Sequence, residues 1–186
     1  PDAVFVEDAA LCLPEGAVVM RPGADSRRGE TPSIAEALRG HYDRVLEIEG
    51  PGFIEGGDIL VIERDILVGK SDRTDAAGVA ELTEKLRPWG YRVRELQTPP
   101  DVLHFKTDCS VLDEKTVLAT ERLARTGCFE GYDVVLTAPG EEAAANSIRF
   151  NDLVLMPEGF PATAARVSAA GYRVRAIGNS EAAKLD

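Results

Sequence analysis

Strand, tight turn, strand, helix, strand: this order recurs four times in 186 residues and limits what the chain can fold into more than any other feature. The first unit reads as strands Val4–Val6 and Ala17–Met20 around the turn Pro14-Glu15-Gly16. A helix follows from Thr31, entered by a capping hydroxyl and an early proline, and then the strand Arg44–Ile48. The second repeats the order with Ile59–Glu63, a turn at Arg64-Asp65, Ile66–Val68, a helix from Asp75 to Leu86 with Val79, Leu82 and Leu86 on one face, and Tyr91–Leu96. The third gives Asp108–Leu112, Thr116–Ala119, a short helix near Glu121–Gly127 and Asp133–Leu136. The fourth gives Ser147–Phe150, Leu153–Met156, a helix after Pro161 and Tyr172–Ile177. A unit of about 40 to 50 residues cannot bury its own face, so the units must stack, radially or in a line.

Polar residues fall at matched places and favour the repeat over one ordinary α/β sheet. Glu7 and Asp8 stand at the first unit's opening, Glu55 and Asp58 at the second's, His104 at the third's and Asn146 at the fourth's. Units radiating around an axis would bring them into one central pocket. The glycine pair Gly56-Gly57 between the two acids reads as a bulge needing positive φ.

Length allows one full core, and 44% apolar with 28% charged residues is ordinary for a globular chain. No apolar run approaches the roughly 20 residues that span a bilayer. A net charge of −11 repels phosphate backbones and acidic membranes, which argues against nucleic acid or a membrane as partner and for a cationic small molecule. Cys12, Cys109 and Cys128 form no metal-binding or disulfide pattern, fit a reducing cytoplasm, and read as small buried residues. The chain opens on Pro1 rather than methionine and so reads as processed or partial.

Carboxylates gathered from separate repeats suit a guanidinium, which offers five donors in a fixed fork. A nearby histidine moves protons near neutral pH. Arg27-Arg28 and Arg73, in matched loops after each unit's second strand, have the chemistry to clamp a carboxylate. Taken singly each has a plainer reading: strand-end charges, a structural histidine, exposed arginines. Their repetition lifts them.

Seven collinear stretches, "FVEDAALC", "RPGADSRR", "EGGDILV", "LVGKSDRT", "LHFKTDCSVL", "AAANSI" and "SEAAKLD", carry a resemblance to the dimethylarginine dimethylaminohydrolases of the guanidino-group-modifying, or amidinotransferase, superfamily. The resemblance implies an α/β fold, a pseudosymmetric five-bladed α/β propeller, with about four of its strand–strand–helix–strand units in this chain. It implies that residues 1–186 are one incomplete propeller domain, lacking an N-terminal segment and a C-terminal unit. His104 would be the general acid and base, with Glu55 holding its imidazole. Glu7 and Asp8 would receive the guanidinium, Asp2 the substrate's α-amino group, and Arg27 and Arg73 its α-carboxylate. Leu185 would offer a backbone carbonyl, and Asp58 would serve the loop's hydrogen bonding. The family's cysteine nucleophile forms a covalent thiouronium that water converts to citrulline. It follows the "KLD" motif, so it is expected after Asp186, and this chain is expected to be inactive without it. No cofactor or metal is implied; the partner is a methylated arginine, and a homodimer stays open. An arginine or agmatine deiminase is the nearest alternative, but those enzymes place an aspartate two residues after the histidine, where this chain has Lys106. An amidinotransferase is disfavoured on the same ground. A non-catalytic guanidinium-binding fragment is the alternative from another class.

Overall fold

In the first unit Leu11 and Leu13 point inward while Cys12 between them points out, the period-two alternation of a strand with one buried face. That strand, β1 (Ala10–Leu13), pairs antiparallel with β2 (Gly16–Val19), which pairs in parallel with β3 (Val45–Glu47). Helix α1 (Thr31–Arg39) makes the crossover that a parallel pair requires. The computed structural model describes residues 4–100, 102–181 and 184. Among them the same plan occurs four times. The second sheet is β4 (Ile59–Ile62), β5 (Asp65–Lys70) and β6 (Arg92–Gln97), with α2 (Ala76–Leu86) before β6. The third is β7 (Cys109–Val111), β8 (Thr116–Ala119) and β9 (Asp133–Leu136), with α3 (Glu121–Ala124). The fourth is β10 (Ile148–Phe150), β11 (Leu153–Pro157) and β12 (Arg173–Ile177), with α4 (Pro161–Ala169). In all four the last two strands are parallel.

A 3-10 turn precedes the first strand of every sheet: Val6–Ala9, Gly56–Asp58, Phe105–Thr107 and Glu142–Ala145. These turns are the openings where the matched polar residues stand. They also displace the first expected strand. Val4–Val6 is not a strand; Val6 begins the turn, both valines are exposed, and β1 starts at Ala10. The β1–β2 register closes at Leu13 opposite Gly16, so the hairpin must draw on Ala10–Leu13. Cys12, expected to be buried, is exposed by that same alternation, whereas Cys109 and Cys128 are buried.

The chain divides into two compact units. One comprises residues up to Ile59 with Arg64–Thr98 and Leu103–Phe105; the other comprises Leu60–Glu63, Pro99–Val102 and residues from Lys106 onward. In the first, every β2 position is buried, Ile66, Leu67 and Val68 of β5 are closed to solvent, and α2 buries Val79, Leu82 and Leu86. Asp75 caps α2 by accepting the Gly78 amide at 2.8 Å. The cap expected of Thr31 on α1 does not form; its hydroxyl donates back to the Arg28 carbonyl at 3.1 Å. In the second unit Leu112, Leu118, Ala144, Val154, Met156 and Val167 make one core. No helix among the described residues is long and apolar enough to cross a membrane.

Candidate active site

Glu55 enters the site from the extended residue before the Gly56–Asp58 turn, with its side chain closed to solvent. A carboxylate so buried needs partners, and it has them. Oε1 accepts the amides of Gly23 at 3.0 Å and Ala24 at 3.3 Å, and Oε2 lies 2.8 Å from His104 Nε2. The Arg73 guanidinium stands 3.8 Å from Oε1. Burial pushes the Glu55 carboxyl up, but the bond to His104, the Ala24 amide and the charges of His104 and Arg73 together hold it below its ordinary range.

His104 stands just before the Phe105–Thr107 turn with 15% of its side chain exposed. Desolvation lowers its proton affinity; the bond to Glu55 and the negative charges of Asp58, Asp8 and Glu55 outweigh that and raise it above the ordinary value of 6.5. The ring is therefore biased toward imidazolium.

Asp8 is buried in the first 3-10 turn. Its Oδ1 accepts the Gly57 amide at 2.8 Å and lies 4.0 Å from His104 Nε2; its Oδ2 accepts Arg27 Nη1 at 2.6 Å. Glu7, one residue earlier, is exposed. Arg27 is buried and spends its donors on the protein itself: Asp8, the Phe5 carbonyl at 2.8 Å, and both oxygens of Glu30 at 3.1 and 3.0 Å. Arg73, by contrast, keeps 31% of its side chain in solvent. Asp2 and Leu185 lie outside the described residues.

The glycine pair has a reason other than the one expected. Neither Gly56 nor Gly57 has positive φ. Their missing side chains admit neighbours instead: a Cβ on Gly56 would stand 1.9 Å from the Glu7 carbonyl oxygen, and one on Gly57 would stand 2.8 Å from His104 Cγ. Asp58 makes the loop hydrogen bonds expected of it: it is wholly buried, accepting the Phe105 amide at 2.8 Å and the Ser71 hydroxyl at 2.7 Å. Sequence reasoning passed over two backbone contributors, the amides of Gly23 and Ala24, which carry no side-chain signal at all.

One donor atom from each of Asp8, Glu55 and His104 lies within 4.8 Å of the others. Each already has a protein partner: Glu55 and His104 bond each other, and Asp8 bonds Gly57 and Arg27. The trio can hold a cation and pass a proton. Cys109, in the second unit, offers no thiolate: burial above all, then the charges of Cys128 and Asp108, push its thiol well up against the opposing pull of Lys106.

A family model described as arginine deiminase matches residues 1–149. The N(G),N(G)-dimethylarginine dimethylaminohydrolase of Pseudomonas aeruginosa is 37% identical over 187 residues, spanning all of this chain and 73% of the relative. That of Streptomyces coelicolor is 34% identical over 186 residues, again across all of this chain and 71% of the relative. The solved structure of the Pseudomonas aeruginosa enzyme complexed with citrulline matches with a TM-score of 0.94 at 36% identity, covering 100% of this chain and 72% of that one. A dimethylarginine dimethylaminohydrolase adduct with S-methyl-L-thiocitrulline matches equally, at TM-score 0.94 and 36% identity over 100% of this chain and 73% of that one.

Proposed function

This chain belongs to the dimethylarginine dimethylaminohydrolase family of guanidino-modifying hydrolases, and from that premise we propose that the protein it comes from hydrolyses Nω-methylated arginines to citrulline and a methylamine. The observation that carries the reading is the His104–Glu55 pair at 2.8 Å beside the Asp8 carboxylate. A protonated histidine held among three carboxylates is poised to give its proton to a departing amine.

In this reading the substrate guanidinium meets Glu7 from the solvent side and Asp8 from the protein side. Each Asp8 oxygen keeps acceptor capacity beyond the one partner it has. Arg73 takes the α-carboxylate; Arg27 joins only by giving up part of its hold on Glu30. Asp2 and Leu185 supply the remaining substrate contacts. A cysteine thiolate encoded beyond Asp186 attacks the guanidinium carbon, and the carbon–nitrogen bond to the methylated nitrogen breaks as His104 delivers its proton. The neutral imidazole, kept in place by Glu55, then takes a proton from water as it attacks the thiouronium. The thiolate leaves, and citrulline remains.

The test is a citrulline assay on the chain extended through the residues encoded after Asp186, with asymmetric dimethylarginine, monomethylarginine and arginine compared. Lys106 stands where a second carboxylate would accept from unsubstituted arginine. Loss of one charge-assisted hydrogen bond is worth roughly ten- to hundredfold, so the methylated substrates should lead by about that factor. The arginine deiminase description of the matching family model favours a second reading, hydrolysis of arginine itself. Equal or faster turnover of arginine would establish it.

A further inference from the structure

We propose that Asp58, which the reaction scheme leaves without a role, is a positioning residue that ties the His104 turn to the Arg73 loop and supplies the through-space counter-charge of the His104 imidazolium. The role rests on His104 being the proton-transfer group.

The side chain of Asp58 is closed to solvent and has two arms. Oδ1 accepts the amide of Phe105, the residue after His104, at 2.8 Å. Oδ2 accepts the Ser71 hydroxyl at 2.7 Å, and Ser71 Oγ in turn accepts the backbone amide of Arg73 at 2.9 Å. One carboxylate thus fixes the backbone beside both the proton donor and the half-buried Arg73. The preceding turn uses the same device: Asp8 Oδ1 accepts the Gly57 amide at 2.8 Å, within two residues of Glu55. In each case a carboxylate at a turn holds the next turn along the chain.

The donors to Asp58 are a backbone amide and hydroxyls, which solvate a charge without neutralising it. Among the described residues no lysine or arginine pairs with it. Burial accordingly pushes its carboxyl up, against the Ser71, Thr74 and Phe105 hydrogen bonds and the charge of His104. Around the imidazole stand Glu55, Asp8 and Asp58, with Arg73 drawn toward Glu55 and Arg27 bound to Asp8. Arg27 is further shared with Glu30, so of the three acids Asp58 is the one that neither arginine touches.

The experiment is an NMR titration of both histidines in the full-length protein, with His104→Gln separating the His104 signal from that of His41. In Asp58→Asn the acceptor for Phe105 is retained while the charge is lost. The His104 midpoint should fall by about 1 pH unit, the Phe105 amide should stay protected from exchange, and the limb of the kcat/KM profile that reports His104 should move by the same amount. Asp58→Ala should also expose the Phe105 amide to exchange. A folded Asp58→Asn protein whose His104 midpoint does not move overturns the proposal, because a merely structural Asp58 would alter stability and leave the titration alone. Should Asp58→Asn not fold, Ser71→Ala keeps the carboxylate and cuts one arm; faster Arg73 amide exchange is expected, and unchanged exchange overturns the tie. A protein that shows the His104 shift but makes no citrulline refutes the methylarginine assignment while leaving the positioning role standing.

Discussion

At Gly57 an added methyl group would stand 2.7 Å from Asp8 Oδ1 and 2.8 Å from His104 Cγ, closer than real contacts permit. Gly57→Ala should therefore move the imidazole rather than strain the local backbone. Overpacking of this kind costs about 1–3 kcal/mol, and a displacement of about 1 Å can cost roughly a hundredfold in rate. The checks are a thermal melt and kcat of the complete enzyme; unaltered kcat would mean that the ring does not need the gap. The Glu55–His104 pair also gives a pH signature. His104 is raised above 6.5, so its contribution is fully present below that value and is lost as pH rises through the raised midpoint. Glu55 is lowered from 4.5, so its contribution is present above that value and is lost as pH falls through the lowered one. The pair thus supports the fold most between 4.5 and 6.5. Melts of the protein and of Glu55→Gln from acid to mild alkali should diverge most in that window and converge as His104 deprotonates. A constant difference across the range would show that the pair is not the source.

Helix α2 has the clearest start signal in the chain. Asp75 accepts both the Gly78 amide and, at 3.3 Å, the Phe53 amide that leads into Ile54 and Glu55. Asp75→Ala should cost about 1 kcal/mol or somewhat more, or roughly 2–4 °C in thermal midpoint per kcal/mol for a chain of this size; no loss would mean water replaces the cap. Elements with strong patterns were legible in advance. β8 and β9 have the expected bounds, and α2 was set by Val79, Leu82 and Leu86 on one face. The 3-10 turns were not, because "VEDA", "GGD" and "FKT" share no propensity that marks them. What they share is a place in the repeat, and missing them started the first strand at Val4 instead of Ala10.

The fold is the α/β propeller class that the family resemblance implied, and the chain's second unit shows how one repeat covers the previous one. Ser110, Leu118 and Val135 lie across one face of the third sheet, and Leu118 packs in a core with Ala144, Met156 and Val167 of the following repeat. The corresponding face of the fourth sheet carries Ile148, Leu155 and Arg175, beside Phe150, Leu153 and Arg173. There Ile148 is 60% and Phe150 64% exposed. An apolar sheet face of this sort marks a packing site, and the internal repeat specifies its occupant: a fifth strand–strand–helix–strand unit. Phe150→Ser should then destabilise the longer protein by about 2 kcal/mol or more and leave the 186-residue chain almost unaffected. Equal effects in both would show that no further unit packs on that face.

The sequence by itself determined the repeat, the strand and helix types, and which acidic, basic and imidazole side chains stand at matched places, because period-two and period-3.6 patterning and side-chain chemistry are local properties. It could also place Glu55 and His104 at equivalent positions, 49 residues apart. Only the tertiary structure decided which groups actually meet. Arg27 finds Asp8 and Glu30 inside the protein, Gly57 is needed for the closeness of a ring 47 residues away, and the amides of Gly23 and Ala24 hold the Glu55 carboxylate. Backbone donors and missing side chains leave no mark in composition or periodicity; their role exists only once the folded chain brings the buried charge that needs them.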